Sequence, residues 1–257
     1  MDSIISQVKK IQEIFLDSWP AKDYYFLNGW ILRFNDGITD RANSVIPLSY
    51  WGKNVNNDIG EVEKIYEKLN LNPSFMIFDF CEPKNLNSLL IEREYSFISP
   101  TEVMTAKFND LTFSNINEIY NYELNDFRTS DFSRFISKFS HWSDADQINI
   151  KELNERIKIP EKKYLLVKLN GNIIASLMAV LVRSKYLYIA DVLVHPKYRK
   201  KKIATTMLYR LLKDWAIRKG TQFIWLQVEE SNKVAHKMYD NLGMTTLFKY
   251  SYFKKYG

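Results

Sequence analysis

A single cysteine, Cys81, in 257 residues excludes an intrachain disulfide and any cysteine-built metal site. The three histidines, His141, His195 and His236, are too scattered to read as a metal cluster, so no metal is expected. No uninterrupted apolar run approaches the ~18 residues of a membrane span. The opening Met1-Asp2-Ser3-Ile4 has no basic region followed by an apolar stretch, so no signal peptide is expected. These absences point to a reducing cytoplasm and to no membrane partner. What is present belongs to a folded chain: 46% hydrophobic and 15% aromatic residues argue against disorder. The length suits one large domain or two of ordinary size.

The net charge of +6 is unevenly divided. Residues 1–110 carry 11 Lys/Arg against 16 Asp/Glu, whereas residues 111–257 carry 25 against 14. Such a cationic excess draws an anionic ligand: nucleic acid, an acidic surface or a phosphorylated small molecule. Much of it is concentrated at 197–202, which favours a phosphate ligand over a duplex-binding face. Nucleic acid is the weaker fit, and the oligomeric state stays open.

The second half is the more legible. Tyr164–Leu169, then Asn170-Gly171, then Asn172–Val182 reads as a β-hairpin, because both turn residues tolerate the positive φ of a type I′ turn. A strand is expected at about 186–194. A helix follows, with Ile203, Met207, Leu208, Leu211, Leu212 and Trp215 on one face and Gly220 at its C-cap. Next come a buried strand over 222–228, a short helix capped by Ser231 or Asn232 and closed by Gly243, and a last strand at about 246–253. In the first half, the pattern predicts an opening helix, strands near 24–34 and 44–48, a helix at about 58–70, and a strand at 74–80. A helix from near Asn85 and a strand at 102–108 complete it. The order helix–strand–helix–strand thus recurs about 145 residues on. Leu90–Phe97 even loosely resembles Lys237–Met244.

The most telling stretch is Tyr186–Ala204. An apolar strand enters a proline turn, then a cluster of cations, then an amphipathic helix. That layout aims backbone N–H groups, positive side chains and a helix dipole at one point, as a pyrophosphate requires. In isolation, Lys197-Tyr198-Arg199-Lys200-Lys201-Lys202 also reads as a solvated charge run.

Val194-His195-Pro196 followed by Arg199-Lys200-Lys201-Lys202-Ile203-Ala204 resembles the phosphate loop of the GNAT N-acetyltransferase superfamily, Arg/Gln-x-x-Gly-x-Gly/Ala after a Val-x-Pro turn. Arginine, terminal alanine, proline and helix all fit. The first glycine does not, because Lys202 stands there. A helical φ is expected at 202, where the lysine costs little and its ammonium adds attraction; a positive φ would cost about 1 kcal/mol. Downstream, Asn232, Ala235, Tyr239 and Gly243 match the superfamily's Asn-x-x-Ala-x-x-x-Tyr and helix-ending glycine.

The resemblance implies an α/β fold of tandem GNAT-like units, each a mixed, mostly antiparallel sheet flanked by helices. Residues 1–108 would form a degenerate N-terminal unit and residues 109–257 an acetyl-CoA-binding unit, with a segment at about 109–160 joining the copies. By the same resemblance, the backbone of Val192, Leu193 and Val194 would pair with the pantetheine arm. Arg199, Lys200, Lys201, Lys202, Ile203, Ala204 and Thr205 would hold the pyrophosphate, with Asn232 as cap or cofactor contact. Tyr239 would protonate the leaving thiolate, its alternative being a plain core tyrosine. The partners implied are acetyl-CoA, as acyl donor, and an unidentified amine acceptor.

The general base is not assigned. Gln227 stands where some relatives carry glutamate, and Glu229, Glu230, Asp191 or a water relay are the alternatives. Gly29-Trp30-Ile31-Leu32-Arg33 and Arg41-Ala42-Asn43-Ser44-Val45 resemble the opening half of two-copy GNAT proteins. Trp19, Trp30, Trp51 and Arg41 read either as a substrate cleft or as core. The rival function is a non-catalytic module that senses acyl-CoA or binds RNA or protein. In that reading, the altered Lys202 and Gln227 record lost chemistry. The first half's helix entry, Trp51–Asp58, has no basic loop, so one coenzyme A site per chain is expected.

Overall fold

The computed structural model describes residues 4–114, 116, 120–139 and 144–256. The chain order is α1 (Ile4–Ser18), β1 (Asp23–Leu27), β2 (Trp30–Phe34), α2 (Val55–Lys68), β3 (Ser74–Phe78), α3 (Leu86–Glu92) and β4 (Ser96–Lys107). It continues with β5 (Asn121–Asn125), α4 (Ser130–Phe139), α5 (Asp144–Arg156), β6 (Lys162–Leu169), β7 (Asn172–Val182) and β8 (Tyr186–Val194). Last come α6 (Ile203–Leu211), β9 (Phe223–Glu229), α7 (Lys233–Asn241) and β10 (Thr245–Lys254). The starts of α2, β3, α3 and β4 are answered in the same order by α6, β9, α7 and β10. His141 lies outside the described residues.

Two compact units result, and they interleave in sequence. The first comprises Met1–Val103, Glu229–Ser231 and Leu247–Gly257; the second, Met104–Val228 and Asn232–Thr246. The sequence halves, 1–108 and 109–257, follow chain order, whereas packing returns most of β10 to the first unit. There Tyr250–Lys254 pairs antiparallel with Ser74–Phe78 of β3.

In the first unit, β1 and β2 form a hairpin from Asp23↔Phe34 to Leu27↔Trp30. Gly29, at its turn, has φ +96°, and a Cβ there would lie 2.5 Å from the Ser49 carbonyl oxygen, so no side chain fits. Trp30, Leu32, Val45, Val62, Tyr66 and Phe75 pack the core. The strand expected at 44–48 reduces to isolated bridges, Ile31↔Ile46 and Val45↔Phe75. Pro47 follows with no N–H to continue the pairing. Helix α2 begins at Val55, earlier than expected, because the Asn54 side chain accepts from Asn57 N at 3.1 Å. Strand β4 likewise starts at Ser96 rather than 102.

In the second unit, β5, β6, β7 and β8 run antiparallel in sequence order, and β9 joins β8 in parallel. Asn170 (φ 49°) and Gly171 (φ 77°) form the hairpin turn with both φ positive, as that pair predicts. Leu165, Leu177, Ile189, Met207, Leu211 and Leu226 share one core. The amphipathic stripe from Ile203 to Trp215 is continuous, but the helix changes pitch. It widens to a π turn over Leu212–Ala216 and tightens to 3₁₀ over Ile217–Lys219 before Gly220, φ +82°. The joining segment at 109–160 contributes β5, α4 and α5, all inside this unit.

Candidate active site

Strand β8 pairs with β9 through four positions, from Tyr186↔Phe223 to Ile189↔Leu226, and no further. On its other edge β8 stays paired to β7, with Leu193 opposite Ser176 and Val194 opposite Ala175. His195 N continues this edge by donating to Ile174 O at 2.9 Å. Leu193 and Val194 therefore keep one strand edge paired to β7, Val192 stands in the register shift before them, and among the described residues the other edge of all three has no strand neighbour.

The chain then turns through Pro196–Tyr198. The His195 Nδ1 accepts from Lys197 N at 3.1 Å, and the His195 ring lies against Phe139, centroids 4.3 Å apart. Arg199 folds back, its Nε donating to Val194 O at 3.2 Å. The Lys201 ammonium sits 5.4 Å from the Tyr198 ring centroid. Arg199, Lys200, Lys201 and Lys202 are all exposed. Helix α6 starts at Ile203, and Lys202 gives it no side-chain cap. The N–H groups of the first turn have no intrahelical acceptor by helix geometry. They gather with four cationic side chains at the positive end of the helix dipole.

Lys202 departs from expectation. Its φ is 55° and its ψ 20°, a left-handed conformation, and Lys200 has φ 62°. The superfamily glycine therefore answers a real backbone demand, and this chain meets it with a lysine at a cost of about 1 kcal/mol. The cost is carried by the folded backbone, so it weighs on stability. Lys202→Gly should raise stability by up to about 1 kcal/mol, the relief being partly offset by glycine's greater unfolded-state entropy. On the expectation that this loop holds the pyrophosphate of coenzyme A, the substitution should also weaken that affinity and flatten its salt dependence, because a cation is lost. Thermal melts and calorimetry across a salt series check both halves. Unchanged stability with tighter binding would reverse the argument.

The Asn232 carboxamide caps α7, accepting from Ala235 N at 3.2 Å, which settles the choice between Ser231 and Asn232. Gly243, φ +89°, ends the helix where a Cβ would lie 2.8 Å from Asp110 O. Tyr239 is 5% exposed, within the core shared by Ile203 and Met207, and burial pushes its hydroxyl pKa well above the usual tyrosine range. Among the carboxylates weighed as base, Glu230 is tied to Lys249 at 2.8 Å and Asp191 to Arg128 at 3.3 Å. Glu229 receives a long 3.5 Å bond from the Ser231 hydroxyl. The Gln227 Oε1 is buried with no hydrogen-bond partner among the described residues.

In the first unit, the motif residues Trp30, Arg33 and Asn43 hold the local architecture, while the Arg41 guanidinium lies 5.9 Å from the Trp19 ring centroid. Arg33 is wholly buried and donates to Ser44 O at 3.0 Å and Ser44 Oγ at 2.6 Å, and burial lowers its pKa. Asn43 accepts from Asn35 N and Gly37 N and donates to Ile38 O and Thr39 O, holding the loop between them. Trp19 and Trp30 are core residues, whereas Trp51 is exposed. Sequence reasoning missed Arg128 altogether. A clue was available at its partner, since Asp191 is an acidic residue inside an otherwise apolar strand.

Residues 116–244 match the Acetyltransferase (GNAT) family, and residues 5–111 match the family described as "Probable histone acetyltransferase Rv0428c C-terminal". The chain belongs to the GNAT family of acetyltransferases. Along its length it is 26% identical to the "Uncharacterized N-acetyltransferase YobR" of Bacillus subtilis (strain 168), over 96% of this chain and 98% of that one. Its fold is similar to a GCN5-related N-acetyltransferase from Kribbella flavida, with a TM-score of 0.73 at 12% identity, covering 100% of this chain and 97% of the other. A tandem GNAT protein from the clavulanic acid biosynthesis pathway aligns over 79% of this chain and 71% of its own, with a TM-score of 0.58 at 8% identity. Among the described residues, no helix is long and apolar enough to cross a membrane.

Proposed function

We propose that the chain transfers an acetyl group from acetyl-CoA to a primary amine, using a single site in its second unit. The observation that carries this reading is the parting of β8 and β9 after Ile189 and Leu226, directly before an uncapped, basic helix start. A strand edge without a strand neighbour suits the amides of a pantetheine arm. The N–H groups and cations at 199–205 suit a pyrophosphate. The acceptor amine attacks as its neutral form, so a proton must leave it first, to water or to a nearby carboxylate. The nitrogen lone pair then bonds to the thioester carbonyl carbon, and the carbon–sulfur bond breaks with its electron pair on sulfur. Tyr239, kept protonated by burial, gives its proton to that thiolate, and the surplus proton shed by the newly acylated nitrogen passes through water to restore the tyrosine. In this reading residues 1–108 and 109–257 are the two duplicated copies. Coenzyme A release measured over a panel of amines tests the proposal. Acetyl-CoA bound with no release on any amine would favour an acyl-CoA sensor instead.

A further inference from the structure

Between Ser176↔Leu193 and Met178↔Ala190, strand β8 carries one residue more than β7. This is a β-bulge, and it falls at Asp191 and Val192, just past the last β8–β9 pair. Asp191 holds φ +51° there, within a strand. An aspartate adopts that conformation more readily than most residues, but still at a cost, so something must hold it. Two contacts do. The Ser176 hydroxyl donates to Asp191 O at 3.3 Å, and Arg128 Nη1 lies 3.3 Å from Asp191 Oδ2.

Arg128 is itself closely fixed. It lies between β5 and α4, and its side chain is only 3% exposed, against 12% for that of Asp191. Its Nε donates to Ser133 Oγ at 3.1 Å, and its guanidinium stands 5.0 Å from the Phe132 ring centroid. A pair this buried contributes little net stability, yet removing one partner leaves the other charge stranded at considerable cost. Such a pair is better suited to fixing a conformation than to strengthening a fold.

We propose that Arg128 is a positioning residue: by ion-pairing with Asp191 it holds the β8 bulge in its left-handed turn and so keeps the Val192–Val194 edge clear of β9 for the acyl-CoA. This rests on the reading above, in which that edge receives the pantetheine arm. The pair then acts on donor binding through backbone geometry, without touching the reacting atoms.

The test separates geometry from charge. Arg128→Met strands the Asp191 carboxylate and should weaken acetyl-CoA binding about tenfold or more, equivalent to at least 1.4 kcal/mol. Combining it with Asp191→Gly removes the stranded charge and supplies a residue that takes positive φ unaided. This double variant should recover affinity to within about threefold of the parent protein. The matching double variant with Asp191→Ala removes the same charge but resists positive φ, and its affinity should stay low. Amide exchange of Val192–Val194, with and without acetyl-CoA, provides the second readout.

Parental affinity in folded Arg128→Met would overturn the proposal, as would equal affinity in the glycine and alanine double variants. Should Arg128→Met fail to fold, that last comparison still decides the matter. If acetyl-CoA binds the parent protein but leaves the Val192–Val194 amides unprotected, the donor-site reading itself fails, and the positioning role with it.

Discussion

Tyr239→Phe is expected to lower kcat roughly ten- to a thousandfold, the lower part of the range for general-acid groups, with acetyl-CoA affinity nearly unchanged. The aromatic ring is buried in the core of the second unit, and phenylalanine fills the same volume, so the fold should persist. Only the hydroxyl, the proposed proton donor, is lost. Burial raises the hydroxyl pKa and so favours the protonated phenol as the resting form. The departing thiolate would then have to leave unprotonated or wait for water. Steady-state kinetics with a good amine acceptor, alongside a melt to verify folding, provides the measurement. A rate equal to that of the parent protein would reassign Tyr239 to packing.

The second large effect concerns the donor. One acetyl-CoA should bind per chain, and Arg199→Glu should weaken it by roughly ten- to a hundredfold, or about 1.4–2.8 kcal/mol. The two helices that follow equivalent positions in the repeat begin in opposite ways. At α6 the first turn is uncapped and preceded by four cations. At α2 the Asn54 side chain already occupies an N–H group, and Asp58 stands in the first turn, accepting from Tyr50 Oη at 2.6 Å and Asn28 Nδ2 at 3.1 Å. A phosphate approaching α2 meets a filled cap and a carboxylate. Calorimetry reads both stoichiometry and affinity. Two equivalent sites, or indifference to the charge at 199, would refute the assignment of the donor to the second unit.

Most of the second unit was legible in its sequence because the signals there are local. Asn170-Gly171 specifies its turn through two positive φ values, and the stripe from Ile203 to Trp215 needs only a helical period. The failures have non-local causes. A helical φ was expected at Lys202 because the residue stands at the start of a helix; the connection from Arg199 into α6 instead takes a left-handed turn there. The change of pitch after Leu211 leaves no mark in a hydrophobic pattern that both helix types satisfy. Arg128 and Asp191 are 63 residues apart, and only the folded unit makes them partners. The tryptophans of the first half were ambiguous for a similar reason, since burial of Trp19 and exposure of Trp51 depend on what packs beside them.

The return of residues 247–257 to the first unit has a consequence for the order in which the protein is made. The ribosome delivers residues 1–103 before 250–254, so β3 acquires its β10 partner only after residues 104–246, which hold the second unit, have been made. At about 5–20 residues per second, the intervening synthesis takes on the order of ten seconds. For that time β3 has an unpaired edge, the kind of surface on which nascent chains join one another. The unit that is synthesised first is therefore the one completed last, and the nascent chain must remain soluble through the whole translation of the second unit before the first can close.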